Sequence, residues 1–294
     1  MQQVDLHTHS TKSDGTYTPA ELMQYAAEKN LAAIALTDHD TTDGIDEAQA
    51  YIVNHHLPIE LIPGIEFSTR YTLSDETKEQ EVHVVGLFID HKSTPLVNHV
   101  RDFVDSRIER NHRMCRLLTE AGMPVTYDEL KKEFPDGVIT RAHYGRFLLN
   151  HHYVDSLKEA FDKYIGEGCP CFVPRKKVTP FEVVHIILEA GGVPILAHPM
   201  LYHLTEDELR KLVGRMKEEG AVGIEAIYPT YTLEEEQLVR KIAKEFDLCI
   251  SGGSDFHGAH KPGLDLAVGY GKLYVPDEVL HELRKHRSES CTYC

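Results

Sequence analysis

The sequence lacks any apolar run long enough to cross a membrane. A spanning helix needs about 20 predominantly apolar residues, whereas the apolar segments here have the length of buried strands. The N-terminus runs directly into a charged, histidine-rich segment and lacks the apolar core of a signal peptide. We therefore expect a cytoplasmic, globular protein that does not bind membranes. Its 294 residues suffice for one large domain, or for one domain with a smaller insertion.

Positive charge is also scarce, since 31 Lys and Arg residues stand against 47 Asp and Glu residues, a formal net charge of −16. Broad binding to duplex nucleic acid or to anionic membranes depends on Lys and Arg, so this balance argues against both. The net negative charge is still compatible with a locally basic pocket that binds a small anion. Histidine, in contrast, is abundant at 19 residues, and histidines gathered with carboxylates are what a multi-metal site requires.

Paired cysteine motifs are missing. The six cysteines are scattered along the chain. Neither Cys169 with Cys171 nor Cys291 with Cys294 has a second pair at zinc-finger spacing. We therefore expect reduced thiols with mainly structural roles.

Strand-like and helix-like segments alternate through most of the chain. A strand is predicted at Val4–His9, a helix capped by Thr18-Pro19 follows, and a buried strand is predicted at 31–36. Further strands are predicted at 59–62, 67–71, 81–88, 193–197, 222–227 and 248–251, and further helices from residues 44, 179, 205, 233 and 277. This order favours an α/β fold of parallel βα units.

The middle of the chain has a different pattern. From Pro95 to about Ile165 the apolar residues recur with helical spacing, and no convincing strand is present. We predict that residues 95–170 form a helical insertion that contributes to the substrate pocket, while residues 1–94 and 171–294 form the barrel that carries the main site.

The first predicted strand delivers His7 and His9 at i and i+2. Side chains alternate along a strand, so both imidazoles point to the same face. Two histidines this close favour a metal site, although neighbouring histidines also occur as ordinary surface or core residues.

Potential metal ligands stand at or just beyond the ends of five predicted strands. They are His7 with His9, His39, Glu66, His198, and Asp255 with His257. In a barrel of parallel βα units all carboxyl ends open on one face, so these side chains would converge there. Histidines and carboxylates without thiolates suit Zn²⁺, Mn²⁺ or Fe²⁺, and carboxylates that bridge suit more than one ion. The pattern therefore predicts a multi-metal site.

These motifs resemble those of the PHP (polymerase and histidinol phosphatase) family of metal-dependent phosphoesterases. The chain contains, in the family's order, Asp5-Leu6-His7-Thr8-His9-Ser10 with Asp14-Gly15, Thr37-Asp38-His39-Asp40, Pro63-Gly64-Ile65-Glu66, His83, His198-Pro199 and Gly253-Ser254-Asp255-Phe256-His257-Gly258. The resemblance implies a distorted (β/α)7 barrel that holds two to three divalent ions, Mn²⁺, Fe²⁺ or Zn²⁺. It places the ligands on His7, His9, Asp14, His39, Glu66, His83, His198, Asp255 and His257.

The resemblance also suggests how the ligands are grouped. One ion would bind His7, His9, Glu66 and Asp255, a second Asp14, His39 and His257, and a third His83 with His198, with Glu66 bridging. Asp38 and Asp40 are expected to orient His39 rather than to bind metal. The alternative for His83 is a buried, hydrogen-bonded histidine, and for His198 simply the end of a strand.

Cations concentrate in and after the helical segment, at Arg141, His143, Arg146 and Arg175. The planar guanidinium of arginine matches phosphate oxygens, so we predict that these residues bind a substrate phosphate. Solvated helix faces with ordinary salt bridges are the alternative, especially for the two lysines that follow Arg175.

Three further elements narrow the resemblance within the family. They are the Arg-x-His element at Arg141, Tyr164-Ile165-Gly166-Glu167-Gly168, and Phe172-Val173-Pro174-Arg175. They look like those of the bacterial branch that removes the 3′-phosphate from 3′,5′-bisphosphate nucleotides, and related members trim short RNA from the 5′ end. Ala142 departs from the expected Pro but leaves the flanking Arg and His intact.

The resemblance therefore implies hydrolysis of a phosphomonoester by a metal-bridging hydroxide. The acid for the leaving oxygen is expected to be His257 or His198, with a metal-bound water as an equal alternative. Three other enzyme activities are alternatives: histidinol-phosphate phosphatase, 5′-3′ exonuclease action on short RNA, and C–N hydrolysis at an amidohydrolase-like site. A metal-stabilised scaffold or accessory domain is the non-enzyme alternative, which is disfavoured because every ligand position is filled.

Overall fold

A seven-stranded sheet is the centre of the computed structural model, which describes residues 2–72, 79–135, 139–174 and 178–288. Its strands are β1 (Val4–Asp5), β2 (Ala33–Leu36), β3 (Glu60–Thr72), β4 (Glu79–Leu87), β5 (Val193–Leu196), β6 (Gly223–Ile227) and β7 (Cys249–Gly252). They are hydrogen-bonded in chain order. The pairs among β1, β2 and β3 and among β5, β6 and β7 are parallel, whereas β4 is antiparallel to β3 and β5.

The two ends of this sheet are joined by further hydrogen bonds. The Leu6 amide donates to the Gly252 carbonyl at 3.2 Å, and the Asp255 amide donates to the His7 carbonyl at 2.8 Å. These bonds connect the exit of β7 to the exit of β1, as the closure of a barrel requires. The predicted α/β class is confirmed.

The two strands predicted before residue 72 are in fact one continuous strand, β3. Pro63 pairs with Leu36 at the last position of the β2 ladder, where a residue without an N–H is tolerated. A Cβ at Gly64 would lie 2.8 Å from Cγ2 of Thr37, so glycine allows a close approach there. The Pro-Gly pair therefore marks a change of partner strand instead of a turn.

The expectation of parallel units alone is wrong at β4. β3 continues past Gly64 as the antiparallel partner of β4. Glu66 therefore lies inside β3, paired with Val85, and not at a strand end. His83 lies inside β4. A parallel bridge between His39 and Glu66 extends the contact between β2 and β3 beyond the end of β2. These pairings bring His39, Glu66 and His83 together, although β4 runs in the opposite direction to β2 and β3.

Ten α-helices accompany the strands in the described residues. They are α1 (Pro19–Glu28), α2 (Ile45–His55), α3 (Thr94–Glu120), α4 (Tyr127–Glu133), α5 (Arg141–Asn150), α6 (Leu157–Ala160), α7 (Pro180–Glu189), α8 (Glu206–Glu218), α9 (Leu233–Glu245) and α10 (Asp277–Arg284). α1 begins as predicted, because the Thr18 amide donates to the Glu21 carboxylate at 2.8 Å and the Glu21 amide donates to the Thr18 hydroxyl at 3.2 Å. Among these helices none has the length and apolarity to span a bilayer.

The chain divides into two compact units, one formed by residues 1–99 with 177–294 and the other by residues 100–176. The core of the first unit combines side chains of α10, such as Leu280 and Leu283, with strand side chains that include Val4, Ala33, Ala35, Ile62, Val85, Leu87, Val193 and Ile195. Each fully buried Val, Leu or Ile contributes about 1.5–3 kcal/mol, which fixes the strands that carry the site.

The second unit has a core of its own. It is formed by helical and loop side chains that include Met114, Leu118, Tyr144, Phe147 and Ile165. The predicted boundaries at 95 and 170, and the predicted contribution of this segment to a substrate pocket, stay predictions.

Candidate metal centre

The exit of β1 is fixed by Asp5. Its buried carboxylate accepts hydrogen bonds from the amides of Ser254 at 2.8 Å and Ala267 at 2.9 Å. Burial raises the pKa of Asp5 to about 6, although these hydrogen bonds act in the opposite direction. The contacts hold the segment that carries His7 against the segment that carries Asp255.

Asp38 and Asp40 bind backbone and hydroxyl groups near the predicted ligands. The Asp38 carboxylate accepts from the Ser10 amide at 2.7 Å and from the hydroxyls of Ser10 and Ser13, both at 2.6 Å. The Asp40 carboxylate accepts from the Ser68 amide at 3.1 Å. Both carboxylates therefore fix the loops around His39, which lies between them in the sequence. Their role in orienting the His39 ring stays a prediction.

The nine predicted ligands come together in the first unit, in four overlapping groups. The groups are His9, Asp14, His39 and His257; His7, His9 and Glu66; His7, His198 and Asp255; and His39, Glu66 and His83. Within each group, one nitrogen or oxygen atom from each residue lies within 4.8 Å of the others. The structure thus brings all nine predicted side chains together, while their service as ligands and their predicted grouping by ion stay predictions.

Glu66 is the centre of this cluster. Its Oε2 lies 3.2 Å from Nε2 of His7, 3.2 Å from Nε2 of His9 and 3.1 Å from Nδ1 of His39. Its Oε1 lies 2.9 Å from Nδ1 of His83 and 3.0 Å from Nε2 of His198. The two oxygens face different histidines, which is the arrangement that a carboxylate bridging two ions needs.

Two aspartates complete the cluster. Oδ1 of Asp14 lies 3.2 Å from Nε2 of His257 and 3.9 Å from Nε2 of His39. Oδ1 of Asp255 lies 3.3 Å from both Nε2 of His9 and Nδ1 of His257. The carboxylates and imidazoles therefore alternate through the cluster.

Several buried atoms of the cluster have no hydrogen-bond partner among the described residues. They are Nε2 of His7, Nε2 of His9, Oδ1 of Asp14, Nδ1 of His39 and Nδ1 of His198. A buried polar atom without a partner costs about 1–3 kcal/mol, so five of them in one cluster call for a ligand that accepts their lone pairs. Divalent cations do so, and the histidine and carboxylate set suits Mn²⁺, Fe²⁺ or Zn²⁺. The residues therefore fit divalent metal ions.

The mutual charges of the cluster move pKa values in opposite directions. Burial alone would lower the pKa of His9, but Asp255 and Glu66 outweigh it and raise that pKa to about 9. The pKa of His83 is likewise raised to about 9, against burial, chiefly by Glu66. Burial would raise the pKa of Glu66, but the surrounding histidines, first His39, hold it well below its usual value. Metal binding must therefore displace protons from some imidazoles.

The backbone is strained at three positions of the site. Asp40 has φ 53°, His198 φ 24° and Asp255 φ 52°, all in the region that favours glycine. Such conformations cost on the order of 1–3 kcal/mol each and persist where surrounding contacts impose them.

Sequence reasoning missed three residues that contact the cluster. The Tyr228 hydroxyl donates to Oδ2 of Asp255 at 2.7 Å, and the Lys261 ammonium binds the same oxygen. Glu225 contacts Nδ1 of His7 at 3.1 Å. Glu225 carried a usable signal, an acidic residue inside a predicted buried strand. Tyr228 and Lys261 carried none, because only the folded chain brings them to Asp255.

The residues predicted to bind phosphate lie in the second unit. Arg141, His143 and Arg146 belong to α5, and Arg175 lies outside the described residues. The Arg141 guanidinium lies 5.4 Å from the centre of the Phe172 ring. His143 is buried, and its Nδ1 accepts from the amide of the residue before α5 at 3.0 Å, so it caps the helix. Their role in phosphate binding stays a prediction.

Comparison with known proteins agrees with this geometry. The family model described as "PHP domain" matches residues 5–167. A 5′-3′ exoribonuclease of Haemophilus influenzae is 37% identical over 87% of this chain and 90% of its own. A 3′,5′-nucleoside bisphosphate phosphatase of Chromobacterium violaceum is 31% identical over 90% of this chain and 91% of its own.

Solved structures show the same similarity. An amidohydrolase from Chromobacterium violaceum, with bound sulfate and no metal, has a TM-score of 0.83 at 29% identity and covers 99% of this chain and 100% of its own. A protein from Bifidobacterium adolescentis, described as a metal-dependent phosphoesterase, has a TM-score of 0.83 at 26% identity and covers 98% and 97%. With its motifs in order, its nine side chains in one cluster and these relatives, the chain belongs to the PHP family and is a phosphoric ester hydrolase.

Proposed function

We propose that this chain hydrolyses the ester bond at the 3′-oxygen of a nucleotide that carries a 5′-phosphate. The simplest substrate of this kind is a 3′,5′-bisphosphate nucleotide, which would lose its 3′-phosphate. The observation that carries the proposal is the convergence of nine histidine and carboxylate side chains in one cluster, with Glu66 at its centre. The relative named 3′,5′-nucleoside bisphosphate phosphatase supports the substrate.

Two to three divalent ions would be held by the clustered residues. Glu66 would bridge, because each of its oxygens faces a different set of imidazoles. When bound, such ions supply Lewis acidity at phosphoryl oxygens and lower the pKa of coordinated water. Their binding would also satisfy the buried atoms that have no hydrogen-bond partner.

His257 and His198 fit ligand roles better than the predicted role of proton donor to the leaving oxygen. Nδ1 of His257 lies 2.9 Å from the carbonyl of Asp255 and donates to it, which leaves the lone pair of Nε2 directed at the cluster, 3.2 Å from Asp14. Burial lowers the pKa of His257, which favours the neutral ring that a metal requires. Nε2 of His198 lies 3.0 Å from Glu66, also within the cluster.

The substrate phosphates would be bound by Arg141, His143, Arg146 and Arg175. Arginine donates two parallel hydrogen bonds to phosphate oxygens, which orients the ester and lowers the entropic cost of reaction. This part of the proposal depends on the cation-rich sequence and on the resemblance to the bisphosphate-hydrolysing branch.

A second candidate is 5′-3′ exonuclease action on short RNA. The relative named 5′-3′ exoribonuclease is 37% identical, against 31% for the bisphosphate phosphatase. In chemical terms the two activities are close, since both can break the ester at the 3′-oxygen of a 5′-phosphorylated nucleotide. The substrates differ in what else the phosphorus carries. In the bisphosphate it carries only terminal oxygens, whereas in RNA it is also esterified to the next nucleotide.

Assays of the purified, Mn²⁺-loaded chain test these proposals. The probes are adenosine 3′,5′-bisphosphate, a 5′-phosphorylated RNA trinucleotide and histidinol phosphate. We expect release of phosphate and 5′-AMP from the first probe, and turnover of the trinucleotide alone would favour the exonuclease. Turnover of histidinol phosphate alone would overturn the nucleotide assignment. Failure to hydrolyse any phosphoester despite bound metal would favour a scaffold.

A further inference from the structure

We infer that Glu225 is a positioning residue that presents His7 and His198 to the metal ions and selects Nε2 of His7 as a ligand atom. This inference rests on the metal site of the proposed function. Glu225 lies in β6, is only 2% exposed, and is not one of the nine predicted ligands. It acts through the two histidines and not on the substrate.

The contact with His7 determines which ring nitrogen carries the proton. Oε1 of Glu225 lies 3.1 Å from Nδ1 of His7. A carboxylate oxygen accepts hydrogen bonds, so Nδ1 donates in this contact and carries the hydrogen. Nε2 of His7 then offers its lone pair, 3.2 Å from Glu66 and 3.8 Å from Asp255. Carboxylates behind metal-binding histidines commonly fix the tautomer in this way.

The other oxygen of Glu225 holds the backbone of His198. The His198 amide donates to Oε2 at 2.7 Å. This residue has φ 24° and ψ 55°, a conformation outside the usual regions for a residue with a side chain. A short hydrogen bond to a charged acceptor stabilises it there. The side chain of His198 then reaches Glu66, with Nε2 at 3.0 Å from Oε1.

The position of Glu225 in the sheet explains how one carboxylate reaches His7, which follows β1, and His198, which follows β5. Glu225 pairs with Ser251 of β7, and the pairing register shifts between Glu225 and Ile227. Such an irregularity re-aims a side chain, and irregularities of this kind recur beside active sites. The remaining residues of the strand are glycine and apolar residues. Burying a charged group there is unfavourable unless it is paired, and both of its oxygens are.

Glu225→Gln tests the inference without a change of size. The amide has one acceptor oxygen for two donors, so either His7 or His198 loses its partner. We expect the affinity of the metal-free full-length chain for Mn²⁺, measured by calorimetry, to fall by about 10- to 100-fold, the usual effect of removing a group that supports a ligand. Glu225→Asp keeps the charge and should recover part of the loss.

Glu219→Gln is the matched control. It removes another carboxylate that contacts a histidine, Nε2 of His185 at 2.9 Å, away from the cluster. We expect wild-type Mn²⁺ affinity in this variant. Equal Mn²⁺ affinity and stoichiometry in wild type and in a folded Glu225→Gln, judged by circular dichroism, would overturn the inference.

A measurement on the wild type covers the case in which Glu225→Gln does not fold. In the Zn²⁺-loaded, ¹⁵N-labelled chain, nuclear magnetic resonance should show the ring proton of His7 on Nδ1, and a proton on Nε2 would refute the assignment. Neither readout uses a nucleotide. A wrong substrate would therefore leave these results unchanged and appear only in the phosphoester assays.

Discussion

In the first unit the predicted site residues crowd around Glu66, whereas in the second unit those of α5 have structural contacts of their own. Within the described ranges, Nε2 of His7 and Nε2 of His9 are buried without a hydrogen-bond partner. His143, in contrast, caps its helix, and Arg141 stacks over an aromatic ring. Groups with unmet bonding capacity point to a ligand, while groups with a local role are compatible with both function and packing.

The difference has a physical origin. In the first unit Glu66 and His83 project from paired strands, whose register fixes their positions, and the other predicted ligands lie in segments that follow strand ends. Two of the three predicted residues on α5 are arginines, whose long side chains have more rotamers, and Arg141 and His143 have partners in their own unit. The same sequence evidence, a charged or imidazole side chain in a matching motif, is therefore a stronger predictor in the sheet than in the helix.

The largest test of this contrast is Glu66→Gln. The amide keeps the shape but loses the charge that faces five imidazoles. We expect Mn²⁺ binding and phosphoester hydrolysis both to fall by more than the roughly 100-fold typical of a supporting residue. Atomic absorption after gel filtration and the phosphate-release assay measure the two effects. Wild-type metal content would remove Glu66 from the centre of the site, and Glu219→Gln again serves as the control.

A pH series separates the cluster from the rest of the molecule. The pKa values of His9 and His83 are about 9 before metal binds, against 6.5 for an ordinary histidine. Metal must displace these protons, so Mn²⁺ affinity should rise between pH 6.5 and 9, by about tenfold per pH unit for each proton displaced. Calorimetry in buffers of different ionisation enthalpy counts the protons released. An affinity that is flat over this range would contradict the protonated state of the cluster.

The stability of the metal-free chain should change in the opposite direction. A histidine whose pKa is raised on folding stabilises the fold fully below pH 6.5, and this contribution is lost as the pH rises through about 9. The melting temperature of the metal-free chain should therefore decline over the interval in which metal affinity increases. Saturation with Mn²⁺ should reduce the decline, because the bound ions replace the protons.

Arg141→Ala tests the second unit at an intermediate magnitude. If its guanidinium binds a substrate phosphate, the variant loses a charge-assisted interaction of about 1.5–3 kcal/mol, or roughly 10- to 100-fold in KM. Mn²⁺ affinity should stay at the wild-type value. Steady-state kinetics with adenosine 3′,5′-bisphosphate give KM and kcat separately. Unchanged values of both would leave Arg141 with a structural role, of which its contact with Phe172 is one part.

The convergence of the nine candidate ligands could be predicted from the sequence because the motifs carry them in chain order. The helix starts could be predicted because capping residues such as Thr18 and Glu21 act locally. The position of Glu66 inside β3 could not be, since an apolar run has the same appearance in parallel and antiparallel pairs. The contacts of Glu225 depend on three strands, β1, β5 and β6, and on a shift of register. No local pattern encodes them.

His143 gives the smallest and most discriminating test, because it is the residue on which the two interpretations of the second unit differ. Its Nδ1 accepts from the Thr140 amide at 3.0 Å, and its ring lies 4.6 Å from that of Phe134. His143→Ala should lower the free energy of unfolding by about 1 kcal/mol for the lost cap, plus a contribution from lost packing. His143→Gln keeps an acceptor for the Thr140 amide, as glutamine does in a capping box, and should recover the capping part. Urea unfolding measures the free energy of unfolding of both variants.

If His143 also binds phosphate, KM for adenosine 3′,5′-bisphosphate will rise in both variants, including the one whose stability is restored, because glutamine carries no positive charge. If KM is unchanged in His143→Gln, the residue has a structural role and does not bind the substrate phosphate.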